Sequence, residues 1–183
     1  MKKSDIKRHL KNYSISGRTS TISHAFASAL SVADDYDLKR IDIALRILEQ
    51  NPESDLKCAY CDKSAETWDH IKAIVEKTVF TGNGHQINNL IPCCKDCNSS
   101  KGNKNWKLFL ALKGFDSKER ISRIEKYINF NSMDLKDILD TKYADDLKEF
   151  YKIKSQVFDL FKKADEQAKI IRAKIRASTN NTA

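Results

Sequence analysis

Proline and glycine are scarce, at two and five of 183 residues. A many-stranded sandwich or barrel needs turn residues at every reversal, so that class is disfavoured and the composition leans toward helices. Long apolar runs are missing as well. The uncharged stretch at positions 19–33 is too short and too rich in Ser and Thr to span a bilayer. The opening Met1-Lys2-Lys3-Ser4-Asp5 leads into more charge rather than an apolar signal core, so export is not expected and the chain reads as cytoplasmic. Internal repeats and low-complexity tracts are lacking. Acid falls short of base, 25 Asp and Glu against 33 Lys and Arg, leaving a formal +8. That balance suggests a polyanionic partner without choosing between nucleic acid and a membrane surface. The apolar content of 40% is enough for a modest core. The length suits one domain of ordinary size or a small module with helical extensions.

Cysteine is absent outside one window. All five cysteines lie between Cys58 and Cys97, in two Cys-x-x-Cys pairs, Cys58/Cys61 and Cys94/Cys97, plus Cys93. A disulfide framework would be spread along a short, loop-rich secreted chain. Buried free thiols or a redox pair in a thioredoxin-like βαβ unit are the alternatives, and no βαβ pattern is present. Two knuckles that converge on one ion match a tetrahedral four-thiolate zinc site. In small sites zinc contributes on the order of 10 kcal/mol to folding. Cys93 could replace Cys94 only by widening the knuckle to Cys-x-x-x-Cys, so it reads as a buried small hydrophobe. Four thiolates with one Zn²⁺ carry a charge of −2, which lowers the effective charge to about +6.

A structural zinc ribbon has no use for the polar residues that accompany these knuckles. They are the pair Asp69-His70, the pair Asn89-Leu90, and the run Cys94-x-x-Cys97-Asn98-x-x-Lys101-Gly102. On these pieces, in this order, the stretch from about Asp55 to Leu112 resembles the HNH, or ββα-metal, nuclease family in its zinc-bearing form, with Asn98 where many members carry His. The resemblance implies a β-hairpin bearing the first two pieces and a helix bearing the third. It also implies an endonuclease acting on double-stranded DNA, with products carrying a 5′-phosphate and a free 3′-hydroxyl. A stand-alone restriction or phage-defence enzyme follows by analogy alone.

The residue chemistry supports the same roles. Hydrolysing a phosphodiester needs a deprotonated water, a cation near the phosphoryl oxygens and stabilisation of the leaving alkoxide. His70 is available as a general base at neutral pH. Asp69 and Asn98 are hard oxygen ligands suited to Mg²⁺ or Mn²⁺. One carboxylate supports a single catalytic ion better than two. Adjacent strand residues point to opposite faces, so Asp69 and His70 share a site only where the strand ends or bends. Asn89, preferred over Asn88 because it directly precedes Leu90, resembles the middle residue of the motif and is expected to hold the hairpin loop that orients His70. Asn98 is also a natural helix N-cap. His85 is either an accessory phosphate contact, a group backing the catalytic residues, or an ordinary loop residue. Trp68 and Trp106 read as core anchors rather than base-stacking platforms. Lys101 and Lys104 either meet phosphates or form a solvated basic face.

The expected fold class is α+β and mostly helical, with a zinc-bound ββα-metal module at residues 53–115 between helical extensions 1–52 and 116–183. The first twenty residues hold six Lys or Arg and one Asp, a mobile or weakly helical basic arm. Apolar spacing predicts helices from Ser20, from Asp37 to the break at Asn51-Pro52, from Asn105 to Lys113 with Gly114 as the stop, and after Asp116-Ser117. From Tyr143 to about Ala177, a seam of Leu147, Phe150, Lys154, Val157, Phe161, Ala164, Ala168, Ile171 and Ile175 steps by three and four. It fits a coiled-coil homodimer or a helix packed within the chain. Two non-catalytic readings compete with the nuclease: a zinc-ribbon nucleic-acid binder and a zinc-dependent interaction module.

Overall fold

The computed structural model describes residues 2–132 and 135–180. The described residues fall into two compact units, one within Ser23–Ala144 and one drawn from Met1–Ile22 and Asp145–Ala183. Seven α-helices and four short strands are present among them, a mostly helical α+β chain.

In the Ser23–Ala144 unit, local signals set the helices. Asp37 caps α2 (Leu38–Ile47), its Oδ1 accepting the amides of Lys39 and Arg40 at 3.0 and 3.2 Å. Asn105 caps α4 (Trp106–Lys113) in the same way, and Gly114 closes it in the left-handed conformation at φ +68°. Ser117 caps α5 (Lys118–Asn129). Helix α1 (Thr19–Leu30) forms where the apolar spacing predicts a helix, with Ser23 and Ala27 as its buried residues. Helix α2 stops short of Asn51-Pro52, because the chain leaves the helix at Leu48 and Glu49 takes φ +58°. A further helix, α6 (Leu135–Lys142), was not anticipated; its eight residues carry too few apolar positions for a clear period.

Strand β1 (Thr67–His70) pairs antiparallel with β4 (Leu90–Cys93), Asp69 opposite Ile91 and His70 opposite Leu90. Between them the chain makes a two-residue hairpin, β2 (Val75–Glu76) with β3 (Val79–Phe80), and a 3₁₀ turn at Ile87–Asn89. Helix α3 (Lys95–Lys101) follows β4 directly and packs on β1. The ββα unit is thus a pair of strands with a long excursion between them, followed by a short helix. The excursion is anchored by a small cluster of Val75 and Phe80 with Ala27 of α1 and Leu139 of α6.

The boundaries expected at residues 52 and 115 do not coincide with a division in the structure. One core holds Cys58, Tyr60, Ile71 and Ile91 from the zinc-bearing segment together with Ala44 and Leu48 from the α2 region and Ile124 and Tyr127 from α5. A segment this short cannot enclose its own apolar surface, so the flanking helices complete it.

In the second unit, α7 (Ala144–Asn180) runs for 37 residues. Its seam is half-buried at Leu147, Phe150, Val157 and Phe161 and buried at Lys154, whose ammonium lies 5.8 Å from the Tyr151 ring centroid. Beyond Phe161 the pattern departs from the expectation. Asp165 takes the inner position and Ala164 is exposed, because Asp165 accepts hydrogen bonds from the Ser14 hydroxyl and the Ile15 and Ser16 amides at 2.8–2.9 Å. These bonds, with the Ser16 hydroxyl foremost, hold its carboxyl well below the usual carboxylate range. The basic arm forms a 3₁₀ helix at Lys3–Arg8 and a 3₁₀ turn at Ser16–Arg18. Among the described residues no helix is long and apolar enough to cross a membrane.

Candidate active site

The two knuckles converge. The sulfurs of Cys58, Cys61, Cys94 and Cys97 all lie within 4.8 Å of one another, and Cys61 Sγ is 3.7 Å from Cys94 Sγ. Thiolates bound tetrahedrally at about 2.3 Å from Zn²⁺ sit about 3.8 Å apart, so the donor set and its spacing fit zinc. Cys93 lies outside the set, its thiol donating to the Cys94 carbonyl at 3.3 Å. The Cys93 side chain, followed by neighbouring backbone amides, lowers Cys58 to about 4 against the effect of burial. Burial and the adjacent sulfurs push Cys97 well up.

Cys94 is also the N-cap of α3, its sulfur accepting the Cys97 amide at 3.5 Å. The metal cluster thereby sets where α3 begins. From that start, Cys97 and Lys101 point inward. The Lys101 side chain is 1% exposed, and its ammonium meets three acceptors: Asp69 Oδ2 at 3.0 Å, the His70 carbonyl at 2.7 Å and the Gly102 carbonyl at 3.3 Å. Three acceptors satisfy the three donors of an ammonium. Both alternatives expected for Lys101 are thus replaced: it neither faces solvent nor reaches outward, but fastens α3 to the end of β1. Asn98, one turn earlier on α3, lies on the same side of the helix and is half-buried. Lys104 is exposed and bonds the Ser100 carbonyl at 2.7 Å.

Asp69 is buried, and its Oδ2 also accepts the Tyr60 hydroxyl at 2.8 Å. Tyr60 is the residue within the first knuckle, and its ring is fully buried with an edge contact to Phe109. Burial and the Asp69 charge raise its phenol well above the ordinary range, so it remains a donor. The sequence reading missed Tyr60; an aromatic between two zinc cysteines was the available signal. Both of these contacts, from Lys101 and from Tyr60, fall on Asp69 Oδ2.

Strand β1 ends at His70 and the chain bends at Ile71 and Lys72, directly after the two residues expected to share a site. Buried Asn89 spans that bend: Oδ1 accepts the Lys72 amide at 2.9 Å, and Nδ2 donates to the carbonyls of Lys72 and Gly84 at 3.1 Å. Asn88 points elsewhere, to the Ile128 carbonyl at 2.9 Å. His70 is half-buried, and burial first, then His85 and Lys101, lowers its pKa against the opposing effect of Asp69. Burial therefore favours the neutral imidazole. His85 is exposed, with its Nδ1 3.1 Å from His70 Nε2.

Trp106 is a core residue at 6% exposure, but Trp68 is not: it is 46% exposed. Alternation along β1 places Trp68 on the face opposite Asp69, where it lines an apolar groove of about 260 Å³ with Tyr36, Ile41 and Tyr127. A polar cleft of about 560 Å³ lies beside the bend, lined by Lys72, Asn83, Lys104 and Asn105 among others.

Comparison with curated proteins and with solved structures finds no match. A family model does match. Residues 58–104, about a quarter of the chain, fit the HNH endonuclease model, and they run from the first zinc knuckle through both strands and α3. The chain carries an HNH endonuclease domain of the zinc-binding kind.

Proposed function

We propose that this protein is a Mg²⁺- or Mn²⁺-dependent endonuclease that hydrolyses phosphodiester bonds in double-stranded DNA. The observation that carries the reading is the convergence at the end of β1. His70 and the buried carboxylate of Asp69 are consecutive residues there, fastened by Lys101 to the helix that bears Asn98.

His70 takes a proton from a water whose oxygen forms the new bond to phosphorus. The P–O3′ bond breaks, and the departing 3′-oxygen gains a proton from solvent, giving a 5′-phosphate and a 3′-hydroxyl. Asp69 and Asn98 would hold the divalent ion, which supplies positive charge at the phosphoryl and leaving oxygens. Asn89 keeps the bend after His70 in place, and Tyr60 and Lys101 keep the carboxylate fixed. Lys104 and Lys72 border the cleft through which a phosphate backbone could approach. A homodimer through α7 would supply two such sites, one for each strand of a duplex. In support, Leu160, Ile171 and Ile175 of that helix are exposed apolar residues.

The test is incubation of the zinc-loaded protein with plasmid and with mixed-sequence DNA, with Mg²⁺ and with EDTA. Cleavage is expected with Mg²⁺ and none with EDTA. Discrete fragments would place the activity with restriction or defence enzymes, and a smear with general nucleases. Binding without any cleavage would make the domain a zinc-dependent nucleic-acid binder.

A further inference from the structure

We propose that His85 is a positioning residue for His70, holding the catalytic imidazole in one tautomer and one orientation through its Nε2. This rests on the reading of His70 as the base. The two nitrogens are 3.1 Å apart, and the rings meet edge to face with centroids 5.0 Å apart. Although its ring is exposed, the His85 backbone is fixed from two sides. It forms a parallel bridge with Ala33, and its carbonyl accepts the Asp34 amide at 3.2 Å. Gly84, just before it, lies so close to the chain at residue 32 that a Cβ there would come within 2.6 Å of the Val32 carbonyl oxygen. The Gly84 carbonyl is held in turn by the buried Asn89 amide. Asp34 also receives the Ile87 amide at 2.8 Å, which ties the segment after His85 to the same strut.

The chemistry of the contact selects one arrangement. Two imidazoles joined nitrogen to nitrogen share one proton between them. If His85 donated, His70 would carry its own proton on Nδ1 and would have no lone pair left for water. If His70 donates its Nε2–H to His85 Nδ1, the lone pair on His70 Nδ1 stays free. Only the second arrangement leaves a base. The proton taken from water then arrives at Nδ1, while the Nε2–H remains donated to His85. His85 fills the place of the orienting group behind a base, a role more often taken by a carboxylate.

The test uses the full zinc-loaded chain and three variants, His85→Phe, His85→Asn and His85→Gln. Cleavage of a short duplex is measured alongside the ring ¹⁵N shifts of His70. In His85→Phe, kcat should fall roughly 10–100-fold with KM changed less than about twofold, the cost of losing an orienting partner. The Asn side chain sets its oxygen close to the former position of Nδ1 and should restore most of the rate. Gln reaches one bond further and should not. His70 should be the Nε2–H tautomer in the wild type and in His85→Asn, and a mixture in His85→Phe. An unchanged kcat in His85→Phe would overturn the proposal, as would a loss confined to KM, or equal behaviour of Asn and Gln. If the wild type cuts nothing, the nuclease reading fails separately. The nitrogen spectra then decide, and an unaltered His70 signature in His85→Phe contradicts the pairing.

Discussion

Replacing Cys94 with alanine is expected to strip the zinc and unfold the Ser23–Ala144 unit. Cys94 is at once a member of the four-sulfur cluster, the cap of α3 and a core residue. Zinc in such sites contributes on the order of 10 kcal/mol, comparable to the roughly 5–15 kcal/mol that holds a whole domain together. Losing one thiolate also leaves three sulfurs, two of them on buried residues, in a core that contains the packing partners of both flanking helices. Metal content should drop to a small fraction of one zinc per chain, and the cooperative thermal transition should vanish. Cys93→Ala is the control and should keep its zinc. If Cys94→Ala remains folded with full zinc, Cys93 has taken the ligand position.

Lys101→Met should cost about 3–5 kcal/mol, the penalty for breaking a buried ion pair by removing one partner. Both side chains of the pair are nearly inaccessible, so solvent does little to screen the orphaned Asp69. The substitution also leaves the His70 carbonyl without its donor. Denaturant unfolding should show the loss directly. Adding Asp69→Asn to Lys101→Met should recover part of it, because no uncompensated charge then stays buried. An exposed, phosphate-facing lysine would have given a change within about 0.5 kcal/mol.

Some of this was legible in the sequence because the signals are local. The Cys-x-x-Cys spacing, the caps Asp37, Asn105 and Ser117, the stop at Gly114 and the apolar period of α5 depend on residues within one turn of each other. The HNH pieces were legible as an ordered set, and the structure brings Asp69, His70, Asn89 and Lys101 to one strand end. What escaped depends on distant partners. Nothing near Lys101 announces a carboxylate 32 positions earlier, and nothing near Tyr60 announces that its hydroxyl reaches that same group. Trp68 looked like a core anchor by size, yet strand alternation turned it outward once Asp69 was committed inward. Asp165 replaced Ala164 on the α7 stripe because hydroxyls and amides 149–151 positions away converge on it. The shared core is of the same kind: no residue within 53–115 announces that α2 and α5 pack against it.

The most direct measurement is single-turnover cleavage of a labelled DNA duplex by wild type and His70→Ala, matched for zinc content and for DNA bound. The alanine variant keeps the backbone carbonyl that Lys101 grips, so the scaffold should survive and only the base is lost. Wild type should cut in Mg²⁺, and His70→Ala should be slower by about 10²–10⁴-fold, the contribution of a positioned general base. Equal rates in the two proteins, or full occupancy of the duplex by wild type with no cut strands, would contradict hydrolysis at this site.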